Sequence, residues 1–349
     1  MNKTFINANT TFAVYFCDKI HMETGGGGMP FTQFETLSIK KRFGLVQEEH
    51  PGIIVKCDTN KVLDMIGNGN DFRVYWRSCM KPLQLAAVYD VLEYFDFTPE
   101  ETVLACASHT GSAEHLEIVR GILKKAGFSE RDLLCPAADP IDEFENIRLV
   151  QKNLPPMRIH NNCSGKHATM LAYCRMHNID PKNYILPTHP LNVHVIGKVL
   201  ELAGLTENEV TMGIDGCLLP VVGAPLKNLA FASLKVLCDK KYQKIVDSIA
   251  LHPHLLGGHG RADSEIIRLS GGKLIAKNGA GNITILLNRV DETCTVIKVA
   301  NTEESARNYI LTKLAEETGL MSEEISDNFN TAEEQFETTF SLAPALARA

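Results

Sequence analysis

Two serines and two lysines are the residues of this sequence that are best suited to acyl-transfer chemistry. In the stretch WRSCMKP, Ser78 stands three residues before Lys81, and positions i and i+3 of a helix share a face. A serine hydroxyl is a weak nucleophile until a base removes its proton, and a desolvated, neutral lysine can be that base. We therefore predict that Ser78 is a nucleophile and that Lys81 activates it.

The context of this pair, more than its spacing, favours a catalytic interpretation. Ser38 and Lys41 have the same spacing, so the bare pattern recurs by chance within the chain. Pro82 is tolerated only near the first turn of a helix, and a helical period of apolar residues follows it. Ser78 is thus predicted at a helix N-terminus, where the partial positive charge favours an alkoxide. The plain alternative is an N-capping serine followed by a surface lysine.

Ser108 and Lys277 are a second candidate pair. We predict a buried strand over Val103–Ala107, whose end would present Ser108 from a rigid position. The alternative is that Ser108 only satisfies backbone groups of a turn. The triplet Lys277-Asn278-Gly279 resembles the K-T-G element of serine penicillin-recognising enzymes, in which a strand lysine faces the nucleophile. Asn-Gly also makes an ordinary hairpin turn.

The segment HNNCSGKH carries thiol and amine groups at helical spacing. Cys163 and Lys166 stand at i and i+3 near a predicted helix start. Cys163 could be a nucleophile with His160 or His167 as its base. It could instead bind a metal together with Cys217, since thiolates suit zinc. A third alternative is that the cysteines are buried and inert.

Composition excludes several classes of function. The 349 residues carry a net charge of −7 without a basic tract, which argues against a nucleic-acid partner. No apolar run approaches the roughly 20 residues that a membrane-spanning helix needs. The ten cysteines are irregularly spaced and include no C-x-x-C pair. Thiols of this kind fit a reducing compartment, so we predict a cytoplasmic protein.

The pattern of strands and helices predicts a mixed α/β (α+β) protein. Residues 1–28 are predicted to be a leader or flexible extension, 29–330 a single catalytic domain, and 331–349 a C-terminal tail. Strands at both ends would build a mixed sheet, with a helical middle over about 112–240. The predicted strands are Leu45–Gln47, Gly52–Cys57, Val62–Ile66, Gly271–Lys277, Asn282–Leu287 and Val296–Val299. The predicted helices are Ser112–Ala126, Lys166–His177, Leu191–Ala203, Leu226–Leu237 and Glu303–Glu317.

Taken together and in this order, the segments resemble the thermolabile-type L-asparaginases, the asparaginase II family that includes the inducible rhizobial type. The resemblance covers about residues 35–325. Its motifs are Arg77-Ser78-x-x-Lys81-Pro82-x-Gln84, Ala105-Cys106-Ala107-Ser108-His109-x-Gly111-x-x-x-His115, Asn162-Cys163-Ser164-Gly165-Lys166-His167 and Asp215-Gly216-Cys217-x-x-Pro220.

This resemblance implies hydrolysis of L-asparagine to aspartate and ammonia, on a fold related to serine β-lactamases and glutaminases. It implies two Ser–Lys tandems, Ser78–Lys81 and Ser108–Lys277, and a homodimer. A zinc site would consist of Cys163, Lys166 and Cys217. We further expect the substrate-binding residues to be Arg77, His109, Arg261 and Asp263, with Asp263 at the substrate ammonium and Arg261 at its carboxylate.

The chain also departs from the family pattern. The glutamate usual in the turn after the lysine is absent from Gly279-Ala280-Gly281-Asn282, and Leu218 replaces the glycine after Cys217. Two other functions therefore remain open. One is a non-catalytic, amino-acid-binding relative of the enzyme, and the other is an amidase for a related amide such as glutamine.

Overall fold

The computed structural model describes residues 33–300 and 303–342, and these form two compact units. The helical unit consists of Lys81–Gly223 and Leu255–Gly258. The sheet unit contains the other described residues. The predicted leader, residues 1–28, lies outside the described residues, and the single catalytic domain over 29–330 stays a prediction.

The sheet unit is built on a seven-stranded sheet in the order β10-β1-β2-β9-β8-β7, with β3 paired to β2. Every pairing described in it is antiparallel. Its strands are β1 (Glu35–Arg42), β2 (Leu45–Cys57), β3 (Val62–Ile66), β7 (Leu274–Gly279), β8 (Ile283–Asn288), β9 (Thr293–Val299) and β10 (Glu334–Thr338). Three short strands complete the set, namely β4 (Arg73–Tyr75), β5 (Thr211–Ile214) and β6 (Pro220–Pro225), of which β5 and β6 pair antiparallel.

Twelve α-helices occur in the part of the chain that the structure describes. In the helical unit they are α1 (Lys81–Ala87), α2 (Val91–Tyr94), α3 (Pro99–Cys106), α4 (Ala113–Lys125), α5 (Glu143–Gln151), α6 (Ser164–Met176) and α7 (Pro190–Ala203). The others are α8 (Leu226–Cys238), α9 (Gln243–Leu251), α10 (Pro253–Gly257), α11 (Ala262–Leu269) and α12 (Glu304–Glu316). Among these described helices, none has the length and apolar character needed to cross a membrane.

The core of the sheet unit lies between one face of the sheet and two helices. Ile54 and Ile297 project from neighbouring strands into an apolar cluster that includes Ile310 of α12 and Ile266 of α11. Since side chains alternate along a strand, Ile53 and its neighbours at odd positions face the other side, and α8 packs against β2 and β9. The sheet is therefore covered by helices, which explains why β7, β8 and β9 are buried throughout.

The helical unit is organised around α6. This helix is buried at all but two of its thirteen residues and packs against α3 and α4. An all-round buried helix shows little amphipathic pattern, but its predicted span, Lys166–His177, is confirmed to within two residues. The predicted helix Ser112–Ala126 is also confirmed to within one residue, and the Ser112 side chain caps it by accepting a hydrogen bond from the backbone N–H of His115.

The predicted strand over Val103–Ala107 is wrong, because these residues belong mainly to helix α3. Thr98 and Glu101 form a capping box at its start, with Pro99 in the first turn. All five residues from Val103 to Ala107 are buried, and a short apolar run does not distinguish a buried strand from a buried helix. Ser108 therefore follows the C-terminus of a helix.

The sheet also differs from prediction at two places. The predicted strands Leu45–Gln47 and Gly52–Cys57 are one continuous strand, β2, in which Pro51 lies next to a register shift. The predicted tail contributes strand β10, which pairs with β1. Only Phe336 of β10 is buried, so its alternating pattern is too weak to indicate a strand in the sequence.

Candidate active site

Ser108 is fixed at the junction between α3 and the polar loop that follows it. Helix α3 ends at Cys106, and Ala107 has an extended backbone (φ −72°, ψ 159°) that turns the chain away from the helix axis. The N–H of Ser108 donates to the carbonyl of Leu256 at 2.8 Å. The backbone that presents the Ser108 hydroxyl is thus held on both sides.

Lys81 is the buried amine next to this hydroxyl. Its side chain is 1% exposed, and Nζ donates to the carbonyl of Ala107 at 2.6 Å and to Ser108 Oγ at 2.9 Å. The structure therefore brings together one member of each predicted tandem, since the prediction joined Lys81 to Ser78 and Ser108 to Lys277. Neither of these two hydrogen bonds of Lys81 goes to Ser78, which belongs to the other unit.

His109 anchors the loop after Ser108 to the start of α6. Its ring accepts at Nδ1 from the N–H of Gly111 (3.1 Å), so the proton of the neutral ring is on Nε2, which lies 2.9 Å from Ser164 Oγ. Burial, with smaller effects from His115 and Lys81, lowers the pKa of His109 well below its usual range. His109 is therefore neutral, and both of its ring nitrogens are engaged by the protein.

Ser78 lies in a tight turn of the sheet unit, in the 3-10 helix Arg77–Met80. Arg77 has a left-handed backbone (φ 47°), which is uncommon for a residue other than glycine and places strain directly beside the candidate nucleophile. The thiol of Cys79 donates to the carbonyl of Lys277 at 3.2 Å. A Cβ on Gly279 would lie 3.0 Å from Cys79 Sγ, so glycine allows this close approach. The turn of Ser78 is therefore packed against the strand of Lys277.

Lys277 is a buried lysine near the end of strand β7. It is 1% exposed, and its Nζ donates to the carbonyl of Asn278 at 2.9 Å. The turn predicted at Asn278-Gly279 is wrong, because both residues belong to β7, Gly279 still pairs with Ile283, and the turn comprises 280–282. Asn282 adopts the left-handed conformation there (φ 54°), which asparagine tolerates.

Asp263 and Arg307 hold the backbone around Lys277. Asp263 is 1% exposed, and its carboxylate accepts from the N–H of Asn278 at 3.2 Å. The buried guanidinium of Arg307 donates to the carbonyl of Gly279 at 3.3 Å. Arg261, the predicted partner of the substrate carboxylate, is half-buried immediately before α11. Asp263 thus contacts the residue after Lys277.

Cys163, Lys166 and Cys217 converge in the helical unit, as the predicted metal site requires. Cys163 stands directly before α6, Lys166 lies in its first turn, and Cys217 lies in the loop before β6. Lys166 Nζ is 3.3 Å from Cys217 Sγ. The Cys163 thiol donates to Asn162 Oδ1 at 3.3 Å and is also within hydrogen-bonding reach of the Cys217 sulfur. All three side chains are buried.

The charges in this cluster are coupled. The hydrogen bond from Cys163, assisted by the Lys166 ammonium, lowers the pKa of Cys217 well below its usual range. The same hydrogen bond and burial raise the pKa of Cys163. Burial lowers the pKa of Lys166, but the interaction with Cys217, with smaller effects from Cys163 and Asp215, outweighs it and the pKa is raised. These directions favour a protonated Cys163, an ionised Cys217 and a charged Lys166.

The arrangement of these residues is better suited to binding a metal ion than to activating Cys163 as a nucleophile. Two sulfurs and one amine lie together in a buried cluster, and thiolates are preferred zinc ligands. Among the described residues, no hydrogen bond joins either alternative base to the Cys163 thiol. His167 hydrogen-bonds Tyr184 Oη through Nδ1 at 2.7 Å, and His160 accepts through Nδ1 from the N–H of Met157 at 3.0 Å.

Gly165 lets α6 approach α3, which sets the cluster beside the Ser108 loop. A Cβ on Gly165 would lie 2.2 Å from the carbonyl oxygen of Leu104, closer than any real contact.

We expect Gly165→Ala to lower the free energy of unfolding by about 2–4 kcal/mol, because the backbones of α6 and α3 must separate. Denaturant unfolding of this variant measures the loss. Gly197→Ala is the control, since a Cβ on Gly197 of α7 meets nothing within 4 Å. Equal stabilities for the two variants would contradict the expectation.

Sequence reasoning missed two residues that position this site. Ser164 belongs to a quoted motif, but its hydrogen bond to His109 is visible only in the structure. Arg307 lies far along the chain on a helix whose other buried residues are mostly apolar. A charged residue at an inward-facing position of α12 was the only signal in the sequence.

A comparison with known protein families identifies the family of the chain. The family model of L-asparaginase II matches residues 39–340, and the chain therefore belongs to that family. No curated protein matches the chain. The matched segment includes every predicted site residue of both units.

Proposed function

We propose that this member of the L-asparaginase II family hydrolyses L-asparagine to L-aspartate and ammonia through a serine acyl-enzyme. The observation that carries the proposal is the hydrogen bond between the buried Lys81 amine and the Ser108 hydroxyl, 2.9 Å long. A buried amine in contact with a serine hydroxyl is the arrangement that nucleophilic catalysis by serine requires. The family supports an amidohydrolase, and the sequence motifs support asparagine as its substrate.

In the proposed mechanism, Ser78 attacks the side-chain amide carbon of asparagine. Lys81, in its uncharged form, takes the hydroxyl proton, and the protonated amine then donates a proton to the departing ammonia. Water cleaves the aspartyl ester in a second step and regenerates the hydroxyl. Ser108 relays protons to Lys81, and Lys277 orients the reacting groups. Because the N–H of Cys79 already donates to the carbonyl of Trp76 (3.1 Å), other N–H groups must stabilise the oxyanion.

A second assignment within the same reaction has a specific observation in its favour. Lys81 contacts Ser108 in the structure, so Ser108 could be the hydroxyl that Lys81 activates. Ser78 would then take the supporting role. The two assignments predict different sites of acylation, which a trapped ester distinguishes.

The substrate-binding residues are proposed with changed roles. Arg261 and Arg77 are both half-buried. Arg261 remains the proposed partner of the substrate carboxylate, and Arg77 remains a proposed substrate-binding residue. His109 has no ring nitrogen left for substrate, so we assign it to positioning the Ser108 loop. Asp263 remains the proposed partner of the substrate ammonium, and its hydrogen bond to Asn278 also positions Lys277.

We propose that Cys163, Lys166 and Cys217 hold a zinc ion. When bound, the ion would supply Lewis-acid polarisation of the amide or fix the substrate in place. The chain's own contribution is to present two sulfurs and one nitrogen that must lose their remaining protons. The buried, free thiols are in keeping with a reducing cytoplasm, and we further propose a homodimer with no nucleic-acid or membrane partner.

Ammonia release from asparagine and glutamine, with and without a chelator, tests this proposal. We expect turnover of asparagine at a kcat/KM at least about tenfold above that of glutamine, because one extra methylene is worth about 1–3 kcal/mol. Chelation is expected to lower the rate, and circular dichroism shows whether the fold survives metal removal. Asparagine that raises the melting temperature without releasing ammonia would instead indicate a binding relative.

A further inference from the structure

An imidazole and two carboxylates meet in the sheet unit, at residues that take no part in the proposed reaction. They are His50 and Glu48 of β2 and Glu303, which directly precedes α12. One imidazole nitrogen and one oxygen from each carboxylate all lie within 4.8 Å of one another. His50 is 0% exposed and both glutamates are half-buried, so solvent reaches the group through its carboxylates. We call these three residues the β2–α12 cluster.

The imidazole of His50 is held in a fixed orientation. Its Nδ1 lies 2.8 Å from Oγ of the buried Ser38, and its ring stacks on Phe336 with 5.7 Å between the ring centroids. Its Nε2 faces Glu48 Oε2 at 3.4 Å. When Ser38 Oγ accepts the proton of Nδ1, the lone pair of Nε2 points at the carboxylates. Metal-binding histidines are oriented in this way, through a hydrogen bond at the nitrogen that does not bind the metal.

The two carboxylates of the cluster share one ammonium with a third carboxylate. Glu48 directs Oε2 to His50 and Oε1 to the ammonium of Lys40, 3.7 Å away. Lys40 lies closer to Glu334, at 3.1 Å. The hydrogen bond to Glu334, with smaller effects from the charges of Glu48 and Glu303, raises the pKa of Lys40. Carboxylates so close together repel each other, and a cation between them relieves the repulsion.

We propose that the β2–α12 cluster binds a divalent transition-metal ion, with Nε2 of His50 and one oxygen each of Glu48 and Glu303 as its ligands. Nitrogen and oxygen ligands stand about 2.0–2.2 Å from such an ion, so two ligands on opposite sides of it are about 4 Å apart. Rotation of the two half-buried glutamate side chains closes the remaining gap. A set that mixes imidazole with carboxylate suits manganese, iron or zinc, whereas magnesium and calcium prefer oxygen ligands alone.

A bound ion would tie strand β2 to the start of α12. The carbonyl of Glu303 accepts a hydrogen bond from Asn282 Nδ2 at 3.2 Å, so this tie extends to the turn 280–282 that follows β7. The ligands come together only in the folded chain, and an ion that binds the folded state alone stabilises it. We therefore expect the ion to raise the melting temperature of the protein.

Manganese(II) is the probe, because thiolates disfavour it and the cysteines of the helical unit therefore do not compete for it. The full-length protein is dialysed and titrated with Mn²⁺, and electron paramagnetic resonance counts the unbound ion. Elemental analysis of each sample counts any ion already bound. We expect one Mn²⁺ per chain, and at least about tenfold weaker binding in Glu48→Gln and in Glu303→Gln. The rise in melting temperature should shrink in both variants.

Glu49→Gln is the matched control for the two glutamate variants. It removes the same charge from β2, but Glu49 is exposed and faces the opposite side of the strand from Glu48 and His50. Its affinity for Mn²⁺ should equal that of the wild type. Control binding as weak as that of Glu303→Gln would overturn the proposal, because general attraction to a negative surface would then explain the bound ion.

Pulsed electron paramagnetic resonance tests the role of His50 without replacing a buried side chain. Coupling between the bound Mn²⁺ and one imidazole nitrogen is the expected result. An ion without this coupling is held by surface carboxylates only, which overturns the proposal. So does a protein that binds no divalent transition metal at the cluster, since a proton on His50 then supplies the positive charge. None of these outcomes bears on the proposed reaction, because the quantity measured is ion binding.

Discussion

Replacing Ser78 by alanine is expected to lower kcat for asparagine hydrolysis by about 10⁴-fold or more, with little change in stability. Loss of a catalytic nucleophile removes the covalent route altogether, and what remains comes from binding and oxyanion stabilisation. Ser78 is half-buried in its 3-10 turn, so removal of its hydroxyl leaves no large cavity. Steady-state ammonia release and thermal unfolding, measured on the same preparation, give the two quantities.

Ser233→Ala is the matched control in the sheet unit. Its hydroxyl is buried and has no hydrogen-bond partner among the described residues, so its removal should affect neither activity nor stability. Ser108→Ala, analysed beside Ser78→Ala, decides between the two assignments of the nucleophile. Rapid acid quench followed by peptide mass spectrometry locates the aspartyl ester on one serine. An ester on Ser108 together with an active Ser78→Ala variant would refute the assignment of Ser78.

The two units contribute different parts of the proposed chemistry. In the helical unit, Lys81 and Ser108 form a buried amine–hydroxyl pair, and His109 ties this pair to the start of α6. In the sheet unit, the turn of Ser78 is held on the strand of Lys277 through Cys79. Within each unit, hydrogen bonds to buried backbone groups hold these side chains in place. Such preorganisation is what catalysis needs.

Local signals explain which elements could be predicted from the sequence. Ser112 caps the N-terminus of α4 and Gly204 caps the C-terminus of α7. Each residue therefore indicates correctly where its helix begins or ends. The apolar run Val103–Ala107 indicates a strand by itself, but the capping box that begins at Thr98, five residues upstream, starts a helix that includes most of the run. Strand β10 could not be predicted, because its pairing with β1 joins residues about 300 positions apart and leaves one buried side chain as a signal.

The site shows the same division between local and non-local information. Motifs predicted that Cys163, Lys166 and Cys217 act together, and the structure brings them into contact. Motifs did not predict that Lys81 contacts Ser108, because that pairing depends on how α3 ends. Because α3 ends at Cys106, Ala107 and Ser108 are directed towards the Lys81 amine. A strand over Val103–Ala107 does not predict this contact.

Lys81→Met is expected to lower kcat by about 10²–10⁴-fold, the usual contribution of general acid–base catalysis by one residue. Methionine fills a similar volume in a position that is 1% exposed, so packing is largely kept. The carbonyl of Ala107 loses a hydrogen bond of 2.6 Å, which should cost about 1–3 kcal/mol of stability. The two losses have separate origins and are measured separately, by ammonia release and by denaturant unfolding.

The controls for Lys81→Met separate chemistry from structure. Lys124→Met removes an exposed lysine from α4 of the same unit and should leave both quantities unchanged. Small primary amines supplied in solution should partly restore turnover in Lys81→Met if the missing group is a base, and should have no effect on its unfolding. Lys81→Met enzyme with wild-type kcat would refute the role of Lys81 as the base. Since Ser108 would then have lost its buried amine without consequence, that result would also remove the observation on which the proposed reaction depends.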